Sequence, residues 1–242
     1  MTWSILARDD DGRFGVAIAS RFFAVGALCV HTRRSVGALS TQALMNPLYG
    51  PQGMQWLNQG VAPHDVVERL TAADAGRAHR QVHVLAARGE AAAHTGEQCI
   101  GWCGHLAGAG FSVAGNMLVG AAVIEATAAA YLASAGRPLA ERLIAAMAAG
   151  EAQGGDKRGK QSAALRIQAD EDYLALDLRV DDHAEPIEEL RRLYAKSLER
   201  FQPFVACLAG RLDPVGLTDR ALIEAAIARF HAAQASSESG SP

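Results

Sequence analysis

The sequence predicts an α+β sandwich, helices packed on antiparallel sheets. Apolar runs with strand character come in pairs joined by short turns, and segments with helical spacing also come in pairs. The blocks run sheet, two helices, sheet, two helices, sheet, helix, without the regular βαβ alternation that a parallel doubly wound sheet requires. The 242 residues, at about 150 per domain, allow one large domain or one domain with an appendage. Half of the residues are hydrophobic but only 6% are aromatic, so the apolar content is largely Ala, Leu and Val, a globular composition and not a disordered one.

The opening TWSILARDDDGRFGVAIAS holds two apolar runs around Asp9, Asp10, Asp11 and Gly12, a hairpin in which Gly12 supplies the positive φ of a tight turn. ALCVHT and SVGALSTQA flank Arg33 and Arg34 and can add two more strands to the same sheet. From Gly50 the spacing turns helical, with Met54 and Leu57 in one segment and Pro63 opening the next, followed by Val66, Val67 and Leu70. HRQVHVLAA and GEAAAHTG read as a hairpin turning at Arg88 and Gly89, and LAGAGFSVAGN as further strand. Residues 119–135 and 138–149 read as two helices, the first capped by Gly136. QSAALRIQ and YLALDLRV are strands around an ADED turn, PIEELRRLYAKSLERF is an amphipathic helix, and TDRALIEAAIARFHAA is a last helix with Thr218 as N-cap. These patterns divide the chain into a main domain over 1–200, a helical extension over 201–234 and a disordered SSESGSP tail over 235–242.

Lys plus Arg number 23 against 26 for Asp plus Glu, so the chain offers no general electrostatic attraction for nucleic acid or an acidic membrane. The four cysteines are scattered, and the chain opens without a basic and apolar leader, which predicts a reducing cytoplasm. The longest apolar stretch, 118–135, contains Glu125 and is mostly alanine, a buried helix rather than a membrane span. Ala-rich helices with little aromatic cover are compatible with a homodimer.

Thr2 carries the most chemistry. Removal of Met1 would leave a hydroxyl and a free α-amine on one residue at a strand edge, and an amine with a pKa near 8 can take the hydroxyl proton. The hairpin at Thr2 is followed in order by ASRFFAVG, STQALMNPLYGPQG, AADAGRAHRQVHV, AAHTGEQCIGWCGH, VAGNML, GGDKRGKQSAAL and LDLRVDDH. Over roughly Thr2 to Leu193 this series resembles the DUF1028 family, proteins of unassigned activity that are themselves similar to N-terminal nucleophile hydrolases. The resemblance implies a four-layer αββα sandwich of two antiparallel sheets flanked by helices. It also implies an amidohydrolase that cleaves a small C–N bond through an acyl-Thr2 ester, with no metal or organic cofactor. Arg21 resembles the arginine after the second strand in proteasome-type members, but Ala19 stands where those have an aspartate, and their strand lysine is absent. Arg33 and Arg34 are the nearest cations and stay protonated, so base work falls to the α-amine. These departures also fit an alternative, a binding or scaffold protein that keeps the fold without its chemistry.

Thr41, Gln42 and Asn46 form either an oxyanion site or amide clamp, or a turn with helix-capping hydroxyls. Asn116 either caps the following helix or turns its amide into the cleft. In the glycine-bracketed GGDKRGK loop, Asp156 can orient the α-ammonium or an arginine, and Lys157 or Arg158 can hold a substrate carboxylate. Ser162 can reach the α-amine or be an ordinary strand serine. Arg21, Arg33, Arg34, Lys157 and Arg158 are expected at the same end as Thr2, which would favour an anionic small-molecule amide as substrate. The eight histidines form no metal signature: His79 and His83 on a strand lie about 13 Å apart. Cys99, Cys103 and His105 lack the second pair that structural zinc needs. Asp181 to His183, at a strand end, reads as a solvated cap of the next helix.

Overall fold

The computed structural model describes residues 2–239. Ten strands are present among them: β1 (Thr2–Arg8), β2 (Phe14–Ser20), β3 (Val30–Arg33), β4 (Gly37–Ala43), β5 (Arg80–Ala86), β6 (Ala92–Thr95), β7 (Trp102–Gly108), β8 (Phe111–Leu118), β9 (Ser162–Gln168) and β10 (Leu176–Val180). The helices are α1 (Tyr49–Asn58), α2 (Pro63–Ala72), α3 (Ala122–Ala133), α4 (Leu139–Ala152), α5 (Pro186–Glu199), α6 (Phe201–Val205) and α7 (Arg220–Ser239). Gly12 turns the first hairpin at φ 79°, and Pro63 begins α2 with its missing N–H at no cost.

The strands form two antiparallel sheets, one of order β10-β9-β2-β1-β8-β7 and one of order β3-β4-β5-β6. Helices α3 and α4 cover the outer face of the larger sheet, and α1 and α2 cover that of the smaller one. The result is a four-layer αββα sandwich. Leu39, Val66, Leu70, Val82 and Val84 pack between the smaller sheet and its helices. Leu6, Phe14, Val16, Ile18, Ala38 and Leu85 pack between the sheets. By the two-residue period of a strand, the even-numbered residues of β1 and β2 therefore face the interior between the sheets.

Two expectations need correction. The β3–β4 hairpin does not extend the first sheet: β2 already pairs with β1 on one side and β9 on the other, leaving no free edge, and β4 pairs instead with β5 in the second sheet. Asn116 does not cap a helix, because β8 runs through it to Leu118 and α3 begins only at Ala122. The short α6 was not legible from the spacing.

The chain separates into two compact units, residues 1–191 and 192–242. The second contains the end of α5 with α6 and α7, an Arg200–Glu224 ion pair at 2.5 Å, and buried Ile227. Of the segment expected as a tail, residues 235–239 continue α7 and 240–242 lie outside the described residues. No helix among the described residues is long and apolar enough to cross a membrane.

Candidate active site

Strand register sets out the site. Thr2 opens β1 opposite Ser20 of β2 and Asn116 of β8, and Ser20 stands opposite Ser162 of β9. Four polar residues therefore form a row across one end of the larger sheet. On the smaller sheet Gln42 of β4 stands opposite Gln81 of β5, which stands opposite Thr95 of β6. The amides join the two rows. Gln42 Nε2 donates to Gln81 Oε1 at 2.7 Å and Asn116 Nδ2 donates to the same oxygen at 3.0 Å. Both amides also point at the Thr2 carbonyl, at 3.5 and 3.3 Å. Gln81 Nε2 donates to Thr95 Oγ1 and to the Gly115 carbonyl, each at 2.9 Å. Thr2, 6% exposed, has its Oγ1 3.1 Å from Ser20 Oγ.

A second polar layer lies one pleat deeper. Ser4 Oγ donates to Gln42 Oε1 at 2.7 Å and lies 2.8 Å from His83 Nε2, while His83 Nδ1 lies 3.0 Å from Ser112 Oγ. Burial pushes the His83 pKa down to about 3, with His105 adding in the same direction, so the ring is neutral at physiological pH. An unpaired polar group here would cost about 1–3 kcal/mol, so the closed network fixes the position of Thr2.

The loop after α4 closes the end of the row. Asp156 Oδ2 accepts the Arg21 amide at 2.8 Å, its Oδ1 accepts the Arg158 amide at 2.8 Å, and the Arg158 guanidinium lies 3.3 Å from Oδ2. Asp156 also bridges to Leu118 at the end of β8, so Arg21, Asp156, Arg158 and Asn116 gather at the Thr2 end of the sheet. Asp156 orients backbone amides and an arginine. Lys157 sends its Nζ toward Gly101. Ser162 shares the row, but its hydroxyl serves the β2–β3 connection, donating to the Phe22 carbonyl and accepting the Val25 amide at 3.1 Å.

The register neighbours of Thr2 each line a cavity. One, of about 180 Å³, lies by Ser20, Trp3, Gly155 and Asp156, with Glu151 and Lys160 paired at 3.0 Å on its wall. Burial raises the Glu151 pKa against the pull of Lys160. The other, of about 240 Å³, lies by Asn116, Met117, Phe22, Leu44, Ile100 and Arg158.

Other expected site residues are elsewhere. Thr41 is one residue out of phase with Gln42, so its side chain takes the other face of β4, where its hydroxyl donates to the Asn46 carbonyl at 3.3 Å. Asn46 Nδ2 donates to Asp74 at 3.2 Å, beside Tyr49 and Arg80, which bond the same oxygen at 2.8 and 3.0 Å. Burial alone would raise the Asp74 pKa, but hydrogen bonds from Tyr49, Gly76, Arg80 and Asn46 hold it well below the usual carboxylate range. Thr41 and Asn46 thus stabilise a turn, and only Gln42 of that trio reaches Thr2. Arg33 pairs with Gly37, at the opposite end of β4 from Gln42, about 17 Å away. Arg34 bonds the Asp170 carbonyl, so neither arginine adds charge at Thr2. His83, Ser4, Ser20, Gln81 and Ser112 escaped sequence reasoning. Their signal was the polar–apolar alternation of TWS and QVHV, which reads equally as a strand with one wet face.

Among the described residues Cys99, Cys103 and His105 do not group as metal ligands, and the one such group is His64, Asp65 and Glu68, all exposed.

The fold and this row define an αββα protein with a threonine at the edge of a central strand, held by one amide of its own sheet, Asn116, and one of the facing sheet, Gln42. The chain belongs to the DUF1028 family, a family of unknown function, whose model matches residues 2–190. It is similar to the crystal structure of protein SPO2555 from Silicibacter pomeroyi, also DUF1028, with 30% identity and a TM-score of 0.82, over 90% of this chain and 99% of that one. More distantly it is similar to a Gly-1 mutant of Anbu from Hyphomicrobium sp. strain MC1, at 12% identity and TM-score 0.43, over 82% of this chain and 95% of that one. Anbu from Yersinia bercovieri, an ancestral beta-subunit, gives 10% and 0.41, over 81% and 94%. Comparison with curated proteins gave no match.

Proposed function

We propose that the protein is an N-terminal nucleophile amidohydrolase acting on a small amide. The observation that carries this reading is the position of Thr2, the first residue of β1, with its hydroxyl beside Ser20, its carbonyl under the Gln42 and Asn116 amides, and its register neighbours Ser20 and Asn116 each lining a cavity. Once Met1 is removed, the Thr2 α-amine takes the hydroxyl proton as Oγ1 attacks the amide carbonyl carbon. The C–N bond breaks, the proton leaves with the amine, and an acyl-Thr2 ester remains. Water then hydrolyses the ester, releasing a carboxylic acid and restoring the hydroxyl. Ser20 orients Oγ1, and Arg158 favours an acyl compound without positive charge.

The test is hydrolysis of a panel of small amides, read by mass spectrometry, together with the intact mass of the protein. Active protein is expected to lack Met1, Thr2→Ala to fold without activity, and Thr2→Ser to retain part of it, since serine keeps both groups. Hydrolysis by protein that retains Met1 throughout would exclude the mechanism. A folded, Met1-free chain inactive on every amide would favour a binding protein built on the same fold.

A further inference from the structure

We infer that the 240 Å³ cavity beside Asn116 is an acyl pocket, which takes an aliphatic acyl chain and directs its carbonyl end toward Asn116 and Arg158. This deepens the hydrolase reading and rests on it for the bond that is cleaved. Three large apolar side chains from three separate loops converge on this mouth while exposed to water: Phe22 at 52%, Leu44 at 63% and Ile100 at 66%. An apolar occupant would cover that surface, and a scattered surface leucine would not gather others around a concavity. The walls are also held in unusual backbone conformations. Ala43 and Met117 are two of the four non-glycine residues at positive φ among the described residues, at 67° and 52°, and both line this cavity. Such conformations persist only where surrounding structure enforces them.

Charge orients the ligand. No residue lining this cavity is acidic, and Arg158 stands on the wall with its guanidinium against Asp156 behind it. A carboxylate product, or the developing negative charge on an amide carbonyl, is accommodated at that end, whereas an alkylammonium is not. Asn116 links the polar end to the nucleophile, because its amide also holds the Thr2 carbonyl at 3.3 Å. The cavity is smaller than the roughly 300–1,000 Å³ of drug-sized ligand sites, which suits a short or medium acyl chain.

Binding of butanoate, hexanoate, octanoate and octylammonium to Thr2→Ala, and to Thr2→Ser as a second host, tests the assignment by calorimetry without any turnover. Affinity is expected to rise about fourfold per added methylene along the carboxylate series, and octylammonium is expected to bind at least tenfold more weakly than octanoate. Leu44→Ser with Ile100→Ser, both on exposed loops, should weaken octanoate by about tenfold or more and leave butanoate within about twofold. A flat chain-length series, octylammonium binding as tightly as octanoate, or the double variant binding octanoate unchanged would each overturn the acyl pocket. Chain-length dependence in a protein that cleaves no amide would leave the pocket standing and remove the hydrolase reading. A flat series in an active amidase would do the reverse.

Discussion

His83 shows how a single buried side chain couples the site to pH. Its pKa, about 3 in the folded protein, lies below the ordinary 6.5 because burial disfavours the charged ring. Between these values the unfolded chain binds a proton that the native state excludes. The stabilisation is therefore complete above about pH 6.5 and is lost progressively as the pH falls toward 3. His31 and His105 are also held down by burial and act in the same sense. His83→Gln keeps a polar side chain but no proton to gain, so its stability should fall less steeply between pH 6.5 and 4, by up to about 1.4 kcal/mol per pH unit. Urea unfolding at several pH values checks this, and slopes equal to wild type would refute it. At this scale the sequence made Thr2 legible through its chemistry, and Gln42 and Asn116 through their places after apolar runs. Whether Asn116 capped a helix or faced the cleft depended on where β8 ended, which no local pattern states.

At the scale of elements, the loop between α4 and β9 is tied to the end of β8 by a backbone bridge from Asp156 to Leu118, and to the end of β2 by the Asp156 carboxylate. Asp156→Ala removes the acceptor for the amides of Arg21 and Arg158, at about 1–3 kcal/mol for each amide left without a partner. Asp156→Asn retains a carboxamide oxygen and should lose less. The expected result is an ordered drop in urea midpoint, wild type above Asn above Ala, with the m-value unchanged. An alanine variant as stable as wild type would show that the loop is held by other contacts. The hairpins and helices themselves were legible because Gly12, Arg88–Gly89 and Pro63 punctuate clear changes of period. Strand partners were not. TWSIL and QVHV carry polar residues at alternate positions, and alternation defines two faces without saying which is wet. Here both sheets are covered on both sides, so the polar face of Thr2 and Ser4 is buried against the polar face of Gln81 and His83. That pairing across sheets comes from residues about 80 positions apart, and it is the part of the site that sequence spacing does not encode.

For the whole molecule, the two-sheet sandwich brings residues of β1, β4, β5 and β8 to one end, and the account stands or falls on whether that end is reactive. The most direct measurement is intact-mass analysis and peptide mapping after exposure of the folded protein to a β-lactone, an electrophile that acylates an activated hydroxyl and needs no knowledge of the substrate. The expected result is one adduct per chain, on Thr2, in protein that has lost Met1, abolished in Thr2→Ala and faster at pH 8 than at pH 6 as the α-amine loses its proton. A folded, Met1-free chain that takes up no adduct, or takes it on another residue while Thr2 stays unmodified, would contradict the assignment of Thr2 as nucleophile.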